Sequence, residues 1–199
     1  MGQAQEKQYL TSGEYFQIDE DSDGKYEYFH GEIFAMGGAA FTHNLIASNV
    51  FIATGNALKG RPCFILSSDM KIQTEEDLHY VYPDISVICG DIEFAKGRED
   101  IITNPVVIFE ILSKSTKDYD MGTKFTGYRN LASFKDYILI DQYTCHVMHY
   151  HKNENKQWVL EEFKNLENSL RIRSIDIELE LSVIYDRVRF KDPDKSTGI

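Results

Sequence analysis

The segment Val106 to Leu112 (VVIFEIL), which follows Pro105, sets a carboxylate, Glu110, in the middle of an otherwise apolar run of strand length. Such a run reads as a strand covered on both faces. Burying an unpaired carboxylate costs several kcal/mol, of the order of a domain's whole stability. A chain that keeps this residue must therefore fold so that Glu110 meets a cation, a proton or a metal ion. An ion pair with Lys or Arg meets that demand without chemistry, whereas a metal site meets it with chemistry.

Around this run, helical and strand patterns alternate. Tyr9 to Asp19 predicts a short opening helix, and the charged stretch Asp19 to Lys25 a turn. Tyr26 to Gly38 reads as a hairpin, YEYF and EIFAM joined through His30-Gly31. From Phe41 to Leu58 the apolar residues recur close to a 3.6 period and Gly60 ends them, which predicts an amphipathic helix. Short strands are expected at Cys63 to Leu66 and Met70 to Gln73, with an acidic turn at Glu75 to Asp77. Ile85 to Cys89 follows Pro83-Asp84 and has the same bounded apolar character as Val106 to Leu112. Ser115 and Asp118 have capping-box-like spacing ahead of a second helix that would run to about Ala132. Tyr137 to Asp141, His146 to His151 and an edge hairpin at Trp158 to Phe163 resume the strand pattern. No linker, repeat or low-complexity block divides the 199 residues, so residues 1–199 are expected to form one α/β domain, with flexible tails at 1–8 and 191–199.

A second acid, Asp84, stands at the mouth of the strand Ile85 to Cys89, and neighbouring strands would bring it to Glu110. Two carboxylates, a carbonyl and water are the hard oxygen ligands that Mg²⁺ takes. An Asp after Pro is also an ordinary turn former. On the following helix Asp120, Lys124 and Tyr128 share a face at i, i+4 and i+8. Lys124 is thus a candidate cation for a phosphate, or half of a surface pair with Asp120 worth about 0.3 to 0.5 kcal/mol.

These blocks, in this order, resemble the Uma-two type of restriction endonuclease within the PD-(D/E)XK nuclease superfamily. The resemblance spans about Tyr9 to Tyr185 and rests on YEYFHGE (Tyr26 to Glu32), His43, Pro83-Asp84, Glu110-Ile111-Leu112-Ser113 with Ser115-Thr116, Asp120, Lys124 and Tyr128, and DYILID (Asp136 to Asp141). It implies a restriction-endonuclease-like fold, a central mixed β-sheet flanked by helices with an N-terminal helix and hairpin. It implies hydrolysis of DNA phosphodiesters by a metal-activated water. Asp84 and Glu110 match the metal-binding acids, with the Ile111 carbonyl completing a Mg²⁺ or Mn²⁺ site. Leu112 stands where the superfamily has its lysine, and Lys124 matches the displaced position. Glu27 matches an early acid, a further ligand or base, or else a solvated hairpin glutamate. His43 would support Glu27, touch a phosphate, or cap and pack its helix; Tyr128 is a possible supporting residue. Ser133-Phe134 and Ile138 depart from the family pattern away from these residues.

Other chemistries find less support. Cys63, Cys89 and Cys145 are odd in number, scattered and free of any CxxC pair, and read as buried thiols in a reducing compartment. His146, His149 and His151 do not make a three-histidine site, because on a strand His146 faces away from the other two. No P-loop, GxGxxG or GxSxG occurs. The N-terminal residues carry no apolar signal core, and no stretch of about 18 apolar residues could span a bilayer, which points to a cytoplasmic protein without membrane contact.

A net charge of −11 argues against holding DNA by bulk charge. The excess is local, however: Met1 to Glu32 and Asp69 to Asp100 carry −6 each, whereas Lys114 to Lys135 carries +3. Binding to DNA is therefore expected to be weak, metal-assisted and lost steeply with salt, and cutting both strands suggests a homodimer. The second reading is a catalytically silent member of the fold, a DNA- or protein-binding module whose acids serve structure.

Overall fold

The run that holds Glu110 is a central strand of a six-stranded mixed sheet. The computed structural model describes residues 9–190, so the expected tails at 1–8 and 191–199 lie outside the described residues. Strand β8 (Val107–Leu112) pairs in parallel with β9 (Asp136–Asp141) and antiparallel with β6 (Ile85–Cys89). The sheet continues through β10 (Val147–Lys152) to the edge strand β11 (Trp158–Phe163) on one side, and from β6 to β3 (Cys63–Ser67) on the other. All six β8 residues are buried, as an apolar strand covered on both faces must be.

A second, five-stranded sheet carries the hairpin β1 (Tyr26–Phe29) and β2 (Glu32–Ala35), followed by β5 (His79–Val81), β4 (Lys71–Glu75) and β7 (Ile101–Ile102). Its turn places His30 and Gly31 at φ 47° and 92°, a left-handed pair suited to a tight hairpin. The opening helix α1 (Ser12–Asp21) starts three residues later than the periodicity predicts. Thr11 caps it, in a reciprocal capping box with Glu14. Two further strands, β12 (Ser169–Ile172) and β13 (Ile177–Glu180), pair with each other.

Helix α2 (Phe41–Ala57) buries Ile46, Val50 and Thr54, one side chain per turn, and its Ile46 and Val50 join Val107, Phe109, Ile111, Ile138 and Ile140 in the larger core. On the sheet's other face, Ile108, Leu112, Tyr137 and Leu139 pack with Phe125 and Tyr128 from the second helical segment. That segment is shorter and less regular than expected. One turn, Lys117–Tyr119, passes into a π-helical turn, Asp120–Lys124, and then Phe125–Tyr128. It ends four residues before Ala132, where tight turns at Asn130 and Leu131 take over. Nor does Ser115 cap it: the Ser113 hydroxyl meets those of Ser115 and Thr116, and Thr116 caps with no side-chain bond.

The expected free thiols are corrected in two of three cases. Cys63 and Cys89 form a disulfide between directly paired positions of β3 and β6, and only Cys145 is a free thiol. The spacing of 26 residues carried no sign of this, because the bridge follows from strand register.

Candidate active site

The antiparallel ladder between β6 and β8 reaches Ile85 opposite Phe109 and stops. Past that point the next backbone groups are satisfied by carboxylates. The Ile111 N–H donates to Asp84 Oδ2 at 2.7 Å, and the Asp84 N–H donates to Glu110 Oε2 at 3.2 Å. The two acids thus clamp the ends of neighbouring strands and stand side by side.

Lys124 reaches the same place from the π-helical turn. Its ammonium lies 3.0 Å from Glu27 Oε1, 3.2 Å from Glu110 Oε1 and 3.4 Å from Asp120 Oδ1, with side chains that are at most 4% exposed. Burial answers the question left by spacing: Asp120 and Lys124 are not a surface pair but part of a closed charge cluster. Tyr128 donates its hydroxyl to Glu110 Oε1 at 3.3 Å. Glu27, set by the hairpin, also accepts the Tyr82 N–H at 2.8 Å, so it sits deep in the site and is not a solvated hairpin glutamate.

His43, in the first turn of α2, lies at the mouth with its Nε2 3.3 Å from Asp84 Oδ2. It attends Asp84 rather than Glu27. Burial disfavours its charged form, but the hydrogen bond and charge of Asp84, then Asp120 and the Ile111 carbonyl beside it, raise its pKa overall. Asp84 and His43 are 20% and 13% exposed, which makes theirs the accessible side of the cluster.

Three carboxylates, from Glu27, Glu110 and Asp120, therefore converge on one ammonium, and a fourth, Asp84, stands beside Glu110. Desolvation drives the Glu110 carboxyl well above the usual range; Lys124 pulls it down, while Asp120, Asp84 and Glu27 push it further up. Glu27 and Asp120 are also raised, in each case first by burial, against the pull of Lys124. The surplus of negative charge is what a divalent cation removes, and the donor set of two carboxylates and the Ile111 carbonyl is hard oxygen, as Mg²⁺ or Mn²⁺ requires. Among the described residues no three His, Cys, Asp or Glu side chains form a metal cage by themselves, so a metal here would lean on the carbonyl and on water.

Two neighbours were not singled out by sequence. Tyr119 hydrogen-bonds Glu27, and burial pushes its phenol pKa up. Gly127 brings the helical segment so close to β4 and β5 that a Cβ would stand 2.6 Å from His79 Nδ1 and 2.7 Å from Thr74 Oγ1. The first lies beside a family block without belonging to it. The second is a close approach that only the folded arrangement reveals.

The chain is similar to known proteins in family, sequence and fold. The Uma2 family, described as "Putative restriction endonuclease", matches residues 12–183. "Uncharacterized protein slr1290" of Synechocystis sp. (strain ATCC 27184 / PCC 6803 / Kazusa) is 34% identical over 181 residues, 91% of this chain and 94% of that one. "Uncharacterized protein sll1609" of the same organism is 36% identical over 153 residues, 77% and 86% of the two chains. The fold is similar to that of a protein from Anabaena variabilis ATCC 29413 whose crystal structure is described as "a putative nuclease belonging to DUF820". The TM-score is 0.74 at 19% identity, over 90% of this chain and 99% of that one. No helix among the described residues is long and apolar enough to cross a membrane.

Proposed function

The chain belongs to the Uma2 family, and from that premise we propose that it is a divalent-metal-dependent endonuclease, a single nuclease domain over residues 1–199 that hydrolyses DNA phosphodiester bonds. The observation that carries the reading is the convergence of three carboxylates on one buried ammonium, with a fourth, Asp84, beside them at the open side. Asp84, Glu110 and the Ile111 carbonyl would hold Mg²⁺ or Mn²⁺. A bound ion of this kind supplies positive charge to the scissile phosphate and lowers the pKa of an attacking water.

The chain's own groups have separable tasks. The Ile111 N–H fixes Asp84 Oδ2, and His43 holds a proton against the same oxygen. Lys124 neutralises and orients Glu110 and, behind it, would add a second positive charge for a phosphate docked at Asp84. Glu27, tied to the Tyr82 backbone, keeps Lys124 in place. Phosphate contacts would come from the basic segment after β8, which includes Lys114, Lys117 and Arg129; with Lys124 engaged by carboxylates, that surface is small and binding to DNA is weak and salt-sensitive. A homodimer would present two such centres, one to each strand.

Supercoiled plasmid incubated with the purified protein tests the reading. Nicking is expected with Mg²⁺ or Mn²⁺, none with EDTA, and a loss of at least about 100-fold in Asp84→Ala and Glu110→Ala, since each removes a ligand. Equal nicking by wild type and both variants overturns it. Failure of both ions to bind at millimolar concentration would favour a silent binding module of the same fold.

A further inference from the structure

The six-stranded sheet carries a second group of ligand-bearing side chains. Facing alternates along a strand, so Asp136 shares the face of Ile138 and Ile140, and His149 and His151 share that of Val147, all toward the larger core. Glu110 lies on the opposite face, with Ile108 and Leu112. Asp136 pairs with His151 at the start of β9, whereas Glu110 and Ile111 stand near the end of the parallel strand β8. The two groups are thus separated by face and by end of the sheet. Glu161, on the edge strand β11, is directly across from His149, and a cleft of about 520 Å³ opens onto Asp136, His149, His151 and Glu161.

The hydrogen bonds in this cleft leave two nitrogens over. Asp136 Oδ1 lies 2.6 Å from His149 Nε2, and both side chains are buried, 4% and 2% exposed. A carboxylate only accepts, so Nε2 carries the hydrogen, and in the neutral ring Nδ1 presents its lone pair. That Nδ1 is 4.0 Å from Glu161 Oε2, and His151 Nε2 is 3.7 Å from Glu161 Oε1. Both nitrogens are buried without a hydrogen-bond partner, and both gaps are too long for one. Two ligands of one tetrahedral ion, each at about 2.1 Å from it, stand about 3.4 Å apart. The gaps are near that separation.

We propose that His149 Nδ1, His151 Nε2 and the Glu161 carboxylate form a Zn²⁺ site, with Asp136 as the positioning residue that fixes the His149 tautomer. Two imidazoles and one carboxylate select a borderline transition metal over Mg²⁺, and a carboxylate on the far ring nitrogen is the usual support of a ligating histidine. As they stand, no three of these side chains are placed to hold one ion. Closing the gap falls to Glu161, which is 45% exposed on an edge strand and has room to move. The fourth position faces the cleft, where Lys135, Lys152 and Arg173 favour an anion or water as the remaining ligand.

Co²⁺, which takes the same ligands as Zn²⁺ and absorbs visibly when so bound, reads the site directly. The full chain, stripped with EDTA and dialysed, is expected to bind one Co²⁺ with tetrahedral or five-coordinate visible bands that one equivalent of Zn²⁺ abolishes and millimolar Mg²⁺ does not. His151→Ala and Glu161→Ala, at positions less buried than His149, should lose the band or weaken binding at least 100-fold. Asp136→Asn should weaken it 10- to 100-fold. Metal-free thermal melts of each variant check folding. The double variant Asp84→Ala/Glu110→Ala should keep the Co²⁺ band, so this site and the nuclease centre stand or fall separately. No visible band in wild type, or equal binding by folded His151→Ala and Glu161→Ala, overturns the proposal.

Discussion

The Lys124 ammonium sits 3.2 Å from Glu110 Oε1, and the two side chains, each 4% exposed, close the inner wall of the carboxylate cluster. Neither charge could be buried without the other. Removing one partner of such a pair leaves the rest of the cluster uncompensated.

Lys124→Met is therefore expected to lower unfolding free energy by about 3 to 5 kcal/mol near neutral pH. The carboxyls left behind are pushed upward by burial, so protonation relieves them, and stability should be partly regained as the pH is lowered from 8 to 5. Urea melts across that range test both statements; a pH-independent loss would contradict the second.

Gly127→Ala should destabilise by about 1 to 3 kcal/mol, because its methyl would collide with His79 and Thr74. The displaced segment carries Lys124, so plasmid nicking should fall along with the melting temperature. An unchanged melting temperature would show that the helical segment shifts freely against β4 and β5.

His79 gives the fold an acid limit. Burial first, then the charges of Lys124 and His30, lower its pKa from 6.5 to about 4. The native state thus prefers the neutral ring, and the unfolded chain takes up the proton first. Its contribution is present above about pH 6.5 and is lost as the pH falls toward 4, by up to about 3 kcal/mol. His79→Gln should flatten that part of the stability profile in urea melts between pH 7 and 4.5, and an unaltered profile would exclude His79 as its source.

Alkylation of the denatured, unreduced protein should modify one cysteine, Cys145, and all three after reduction. Reduction should lower stability by about 3 kcal/mol, as expected for a closed loop of this length. Three reactive thiols before reduction would contradict the bridge.

Much of this was written in local pattern. The hairpin through His30-Gly31, helix α2 and strands β6 and β8 lie within a residue or so of where turn residues and apolar runs put them, because each is bounded by Gly or Pro. No local pattern marks strands β5 and β7, which are three and two residues long and defined by partners distant in sequence. The family blocks named Glu27, Asp84, Glu110 and Lys124, and the fold brings them together. What no spacing reveals is depth. That Lys124 lies inside rather than on the surface depends on Gly127 and on the cover given by the five-stranded sheet, and the pairing of Cys63 with Cys89 depends on register across 26 residues.

The π-helical turn over Asp120–Lys124 is wound with one residue more than the α-helical turn it replaces. Deleting a single residue between Asp120 and Lys124 would keep every named side chain and let the turn close as an ordinary α-helical one, with the residues on either side holding nearly the same directions. The ammonium would still be aimed toward Glu110. In this stretch a one-residue difference in chain length is absorbed by the width of the turn, and a relative with the same motif letters but one residue fewer here should carry an α-helical turn and a lysine aimed the same way.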